Sequence, residues 1–141
     1  GLMSVSFVSE QISFSLDNEA ANIEWLVSAV RTEGATLGPL TFIFCSDEYL
    51  LNINQQFLNH DYYTDVITFD YTEGLLVSGD IFISIERVQE NAQSLGLPFV
   101  EELARVMIHG LLHLLGYSDK TVHDKRAMTA REDFYLSLRS F

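Results

Sequence analysis

Residues 106–116 read Val106-Met107-Ile108-His109-Gly110-Leu111-Leu112-His113-Leu114-Leu115-Gly116, and the rest of the domain must be arranged around them. Apolar side chains leave it in nearly every direction, so a helix here is buried all round and central to the domain. Gly116 is placed to stop it in the left-handed conformation. Upstream, Gly96 and Pro98 punctuate the chain, so the helix spans residues 98–115. Downstream, Thr121 with Asp124 three residues on resembles a capping box, which predicts a last helix over residues 122–138.

The remaining elements must surround that helix. Residues 11–16 alternate Ile12 and Phe14 with polar neighbours and read as a first strand. Asp17 or Asn18 then caps a helix with the apolar face Ile23, Leu26, Val27 and Val30, ending near Gly34. Residues 41–45 are a short apolar run, read as a buried strand. Ser46 is a good N-cap, and Asp47 and Glu48 suit the positive end of the helix that follows. That helix carries Leu50, Leu51, Ile53 and Phe57 and leaves through Asn59-His60-Asp61. Residues 65–71 and 77–85 flank Thr72-Glu73-Gly74 and predict an antiparallel hairpin, followed by a helix over residues 86–95. The sum is α+β: a single domain over residues 1–141, with a mixed sheet of about four strands covered by helices and the 98–115 helix buried at its centre.

Composition agrees with this and excludes several classes. Hydrophobic residues are 48% of the 141, too many for a disordered chain. The lone Cys45 makes no internal disulfide, and zinc motifs of two or four cysteines are excluded. No run approaches the 18 or so apolar residues of a transmembrane helix. Gly1-Leu2-Met3 lacks the basic-then-apolar layout of a signal peptide, and Gly1 and Leu2 ahead of Met3 read as a cloning remnant. A cytoplasmic protein is expected. The net charge of −12 disfavours a general nucleic-acid binder, DNA included, or an anionic-membrane binder. The charge is uneven: residues 120–141 hold five basic residues (Lys120, Lys125, Arg126, Arg131, Arg139) against three acidic ones (Asp124, Glu132, Asp133), leaving +2 on an acidic body.

Chemistry enters with His109 and His113. Four residues apart on a helix, they leave the same face with Cβ atoms about 5–6 Å apart, close enough to share one metal ion. Two imidazoles among leucines cost free energy unless each is hydrogen-bonded or ligating. Gly116 follows His109 by seven residues and Asp119 by ten, the spacing at which metzincins return a third ligand after a glycine turn. Two histidines and a carboxylate form a catalytic zinc set with a fourth position open. His123, in the first turn of the last helix, competes with Asp119 for the third place. His60 reads as a surface turn residue. Zinc proteases place Glu directly after the first histidine as general base; here that residue is Gly110, which disfavours peptide hydrolysis by that route and admits a close neighbour to the helix.

The stretch from His109 to Asp119, His-Gly-Leu-Leu-His-Leu-Leu-Gly-Tyr-Ser-Asp, resembles the H-G-x-L-H-L-x-G-Y-D-H signature of the YbeY family of rRNA maturation endoribonucleases. Thr64-Asp65-Val66-Ile67-Thr68-Phe69 is similar to that family's T-D-V-L-S-F strand, and Gly79-Asp80-Ile81-Phe82-Ile83-Ser84 to its G-D-I-x-I-S strand; Leu51-Asn52 opens the matching helix segment. The resemblance implies one zinc ion per chain on His109, His113 and a third ligand. It also implies cleavage of single-stranded rRNA in maturing the 16S 3′ end, ribosome quality control, and the small ribosomal subunit as partner. The sequence departs from the pattern at Asp119 (His in the family), Ser118 (Asp) and Leu58, which aligns with the family's arginine upstream of T-D-V.

Three functions follow. The first is a metal-dependent endoribonuclease, with Lys120, Lys125 and Arg126 as candidate phosphate contacts. The second is a non-catalytic ribosome-associated assembly factor with a structural metal, which Leu58 and the charge favour. The third is another metallohydrolase. Asp65 and Asp80 are either strand-end residues near the site or plain hydrogen-bonding groups.

Overall fold

A computed structural model describes residues 4–141; the reading of Gly1-Leu2-Met3 lies outside the described residues. The element order is β1 (Val5–Glu10), α1 (Glu19–Thr32), β2 (Thr36–Cys45), α2 (Asp47–Leu58), β3 (Val66–Asp70), β4 (Leu76–Ser84), α3 (Ile85–Leu95), α4 (Phe99–Leu114) and α5 (Val122–Ser137). The expected α+β class and four-stranded mixed sheet are what the structure shows. The sheet order is β1-β2-β4-β3, with β1, β2 and β4 parallel and β3 antiparallel to β4.

The start of the sheet differs from the expectation. Residues 11–16 form no strand; β1 is Val5–Glu10, running parallel to β2, and Gln11 at φ 56° ends it. The alternation of Ile12, Phe14 and Leu16 is real, and these side chains pack on the core. Period-2 alternation reports which side of an extended chain is covered, not whether its backbone finds a ladder partner. The second strand is also longer than residues 41–45. It reaches back to Thr36 through a register shift between Leu37 and Leu40 that accommodates Pro39, a residue with no N–H to give to a ladder.

Elsewhere local chemistry sets the boundaries as expected. The Ser46 hydroxyl accepts from the Tyr49 N–H at 3.1 Å and opens α2; the Thr121 hydroxyl accepts from the Asp124 N–H at 3.0 Å and opens α5. Asn59 at φ 55° closes α2, and Gly116 at φ 101° follows α4.

Strand side chains alternate between two clusters. Phe42, Phe44, Ile81 and Ile83 face the main core with α1 and α4; Cys45, Ile67 and Phe82 face the smaller cluster under α2. Gly110 is the close-approach point between α4 and the sheet: a Cβ built there would lie 2.8 Å from Cγ2 of Ile81 on β4. The neighbour that Gly110 admits is thus a core strand. This contact sets α4 deep enough to place one edge of it, bearing His109 and His113, at the surface.

Candidate metal centre

Although α4 is buried, the two histidine side chains are not fully so. They retain 23% and 26% of their exposure, and that of Asp119 42%. The chain leaves α4 through Gly116, and the Tyr117 N–H donates to the Leu112 carbonyl at 3.0 Å. Two residues later Asp119 lies over the histidines. Its Oδ2 is 3.4 Å from Nε2 of His109 and 3.4 Å from Nε2 of His113, and the two Nε2 atoms are 3.0 Å apart.

The hydrogen-bond network assigns the tautomers. Nδ1 of His109 donates to Oε2 of Glu132 at 2.7 Å, and Nδ1 of His113 donates to the Tyr117 carbonyl at 3.2 Å. When the rings are neutral, both Nε2 atoms carry lone pairs, aimed at each other and at a carboxylate oxygen. Three such acceptors converging on one point could hold a cation. Tetrahedral coordination with bonds of about 2.0–2.1 Å places ligand atoms about 3.3–3.4 Å apart, close to the spacings here. The residues present fit a zinc-sized ion.

Behind the site, Oε1 of Glu132 accepts from Arg105 at 2.8 Å, and Arg105 also donates to Asp133 at 2.7 Å. Burial alone would depress the His109 pKa, but Glu132, Asp119 and Asp65 outweigh it and raise it above the ordinary histidine value. Burial and the adjacent His109 lower that of His113. A cavity of about 200 Å³ beside His109 is lined by Asp65, Glu102, Arg105 and Glu132. Burial raises the Asp65 and Glu102 pKa values, which favours their protonated forms. Asp80, by contrast, lies within β4, in register with Thr41 and Phe69.

The other candidates lie apart from this convergence. His123 is exposed on the first turn of α5 and outside the group formed by His109, His113 and Asp119. His60 is exposed, with Nδ1 3.1 Å from the Tyr62 hydroxyl. Lys120, Lys125 and Arg126 are exposed. Cys45 is no nucleophile: burial pushes its thiol up to about 12.

Sequence reasoning missed Glu132 and Tyr117. Glu132 left a signal, since it stands on the stripe Met128–Glu132–Tyr135 at i, i+4, i+7, whose members are all buried. A carboxylate on a buried stripe requires a partner.

The family model described as Endoribonuclease YbeY matches residues 4–139. The chain is 52% identical over 128 residues to the Endoribonuclease YbeY of Flavobacterium psychrophilum, covering 91% of each. It is 49% identical over 138 residues to that of Cytophaga hutchinsonii, covering 97% of this chain and 96% of the relative. Its fold is similar to the solution structure of TM1509 from Thermotoga maritima, with a TM-score of 0.68 and 28% identity over 94% of this chain and 87% of the other.

Proposed function

Because the chain belongs to the YbeY endoribonuclease family, we propose that it is a metal-dependent endoribonuclease cutting single-stranded rRNA. In this reading it matures the 16S 3′ end and serves ribosome quality control in the cytoplasm, on the small subunit, with one zinc ion per chain on His109, His113 and Asp119. The observation that carries the metal assignment is the meeting of three acceptor atoms within 4.8 Å of one another on a partly open face. Among the described residues no helix is long and apolar enough to cross a membrane.

A zinc ion bound there supplies Lewis acidity toward phosphate oxygens and activates water near neutral pH. The rest belongs to the chain. Glu132 and the Tyr117 carbonyl hold the two rings with Nε2 outward, and Glu132 increases the basicity of His109. Asp119 adds a negative charge to the ligand set. On the Gly116–Thr121 turn the exposed Lys120 stands next to Asp119, offering a polyanion a cation beside the ligand set. Gly110 follows His109 in sequence where zinc proteases carry their glutamate, which disfavours peptide hydrolysis by that route.

The test is cleavage of single-stranded RNA by purified protein, removed by chelator, restored by zinc, and lost in His113→Ala. Leu58, exposed at the end of α2 where the family pattern has arginine, favours the second reading, a ribosome-bound assembly factor. Co-sedimentation with small subunits and no metal-dependent turnover would establish that reading in place of the first.

A further inference from the structure

The turn that carries Asp119 is held by short-range backbone hydrogen bonds to the end of α4 and by Leu115 and Tyr117 packed on the core. Residues 115–121 form no helix or strand, and Gly116 adopts a φ of 101°. Apart from the approach of Asp119 to the histidines, the hydrogen bond from this turn to a distant element comes from Tyr117. Its hydroxyl donates to Oε1 of Glu33 at 2.7 Å, across 84 residues of sequence. The same residue's carbonyl accepts from Nδ1 of His113. Tyr117 is therefore gripped at its ring end and grips His113 at its backbone end.

Glu33 is an odd residue for its position. It caps the C-terminal end of α1, where the helix dipole disfavours a negative charge. Its carboxylate is also largely buried, at 13% side-chain exposure. Local helix chemistry does not account for it. Three donors do: besides Tyr117, Oε2 accepts from Arg131 at 2.6 Å and from the Tyr135 hydroxyl. The Trp25 indole N–H binds the Tyr135 carbonyl at 2.8 Å, fixing α1 to α5. Arg131 precedes Glu132, so two chains of contact leave adjacent residues of α5. One runs from Glu132 to His109, and the other runs from Arg131 through Glu33 and Tyr117 to His113.

We propose that Glu33, acting through Tyr117, is a positioning residue of the metal centre, holding the turn so that His113 keeps its tautomer and Asp119 its place. This rests on the metal-site reading above. The experiment uses the full chain with the metal alone. Zinc affinity is measured by competition with a chromophoric chelator, and the visible spectrum is recorded after cobalt substitution, for wild type, Tyr117→Phe and Glu33→Gln. Loss of an outer contact to a ligand lowers metal affinity by roughly 10–100-fold. Tyr117→Phe removes only the hydroxyl and leaves the carbonyl on His113, so its zinc affinity is expected to fall by up to about 10-fold, the low end of that range. Its cobalt bands are expected to change, and Glu33→Gln, which keeps the side chain's shape, to follow it. Unchanged affinity and spectrum, with lowered melting temperature of the metal-free protein, would make the cluster merely structural and overturn the proposal. Wild type that takes up no zinc or cobalt would overturn the metal site and this proposal together. Wild type that binds metal but cuts no RNA would overturn the nuclease reading alone, and the spectra would still decide for or against Glu33.

Discussion

Glu132 on α5 accepts a 2.7 Å hydrogen bond from Nδ1 of His109 on α4, and this contact fixes which nitrogen of the histidine is free. Arg105 holds the other Glu132 oxygen, so the carboxylate has one available orientation. Carboxylate, imidazole and metal in series are a recurrent means of raising ligand basicity. Glu132→Gln keeps the shape and removes the charge. Its zinc affinity is expected to fall by about 10-fold or more in a chelator competition, and an unchanged affinity would show that Glu132 serves packing alone.

Asp119 differs from the family pattern yet stands where a third ligand belongs. Metal content by mass spectrometry should give about one zinc per chain for wild type, as a three-ligand site implies, and little for Asp119→Ala. Asp119→His, which substitutes another good zinc ligand, should retain the ion. Zinc undiminished in the alanine variant would pass the third position to His123 or to solvent.

Gly110 is a packing residue. Alanine there would bring Cβ to 2.8 Å from Cγ2 of Ile81, in a core with no slack. The gain in helix propensity offsets up to about 1 kcal/mol, while overpacking costs typically about 1–3 kcal/mol. The expected outcome of Gly110→Ala is a net loss of up to about 2 kcal/mol in urea denaturation, reduced in an Ile81→Ala background because the clashing methyl is gone. An equal loss in both backgrounds would place the strain elsewhere.

Glu33 gives the stability a dependence on pH. Burial pushes its pKa up, but hydrogen bonds from Tyr135, Tyr117 and Arg131 outweigh that, and the folded value lies below the ordinary one. A carboxylate with a depressed folded pKa adds stability that is complete above its unfolded pKa and disappears as pH falls through the folded one. Glu33→Gln should therefore cost most at neutral pH, about 1.5–3 kcal/mol for charge-assisted hydrogen bonds, and progressively less below pH ~4.5. Parallel stability curves for wild type and variant across that window would contradict the assignment.

How far the sequence could be read depended on the range of each interaction. The α4 helix, the caps Ser46 and Thr121, the hairpin and the Gly116 stop rest on neighbours within a few positions, and each stands where expected. The ligand face formed by His109 and His113 follows from helical spacing alone. Tyr117, Glu33 and Glu132 act through partners 84 and 23 residues away, and no local pattern pairs them. The first strand was misplaced for a related reason. Alternation in residues 11–16 marks a covered chain, whereas β1 is defined by pairing with β2 some 35 positions further on, from Val5↔Leu40 to Glu10↔Cys45.

All three candidate ligands fall within eleven contiguous residues, 109–119, whereas the groups that orient them come from α1 and α5. The unfolded chain thus already carries the complete donor set, and an ion that binds both states stabilises the fold only by its preference for one. On the roles proposed above, that preference would reside in Glu33 and Glu132. A hundredfold discrimination corresponds to about 2.7 kcal/mol, and damage to either outer residue erodes it while leaving every ligand in place. Metal retention would then be a gauge of whether α1 and α5 are docked, and chelator resistance would measure tertiary assembly as much as coordination.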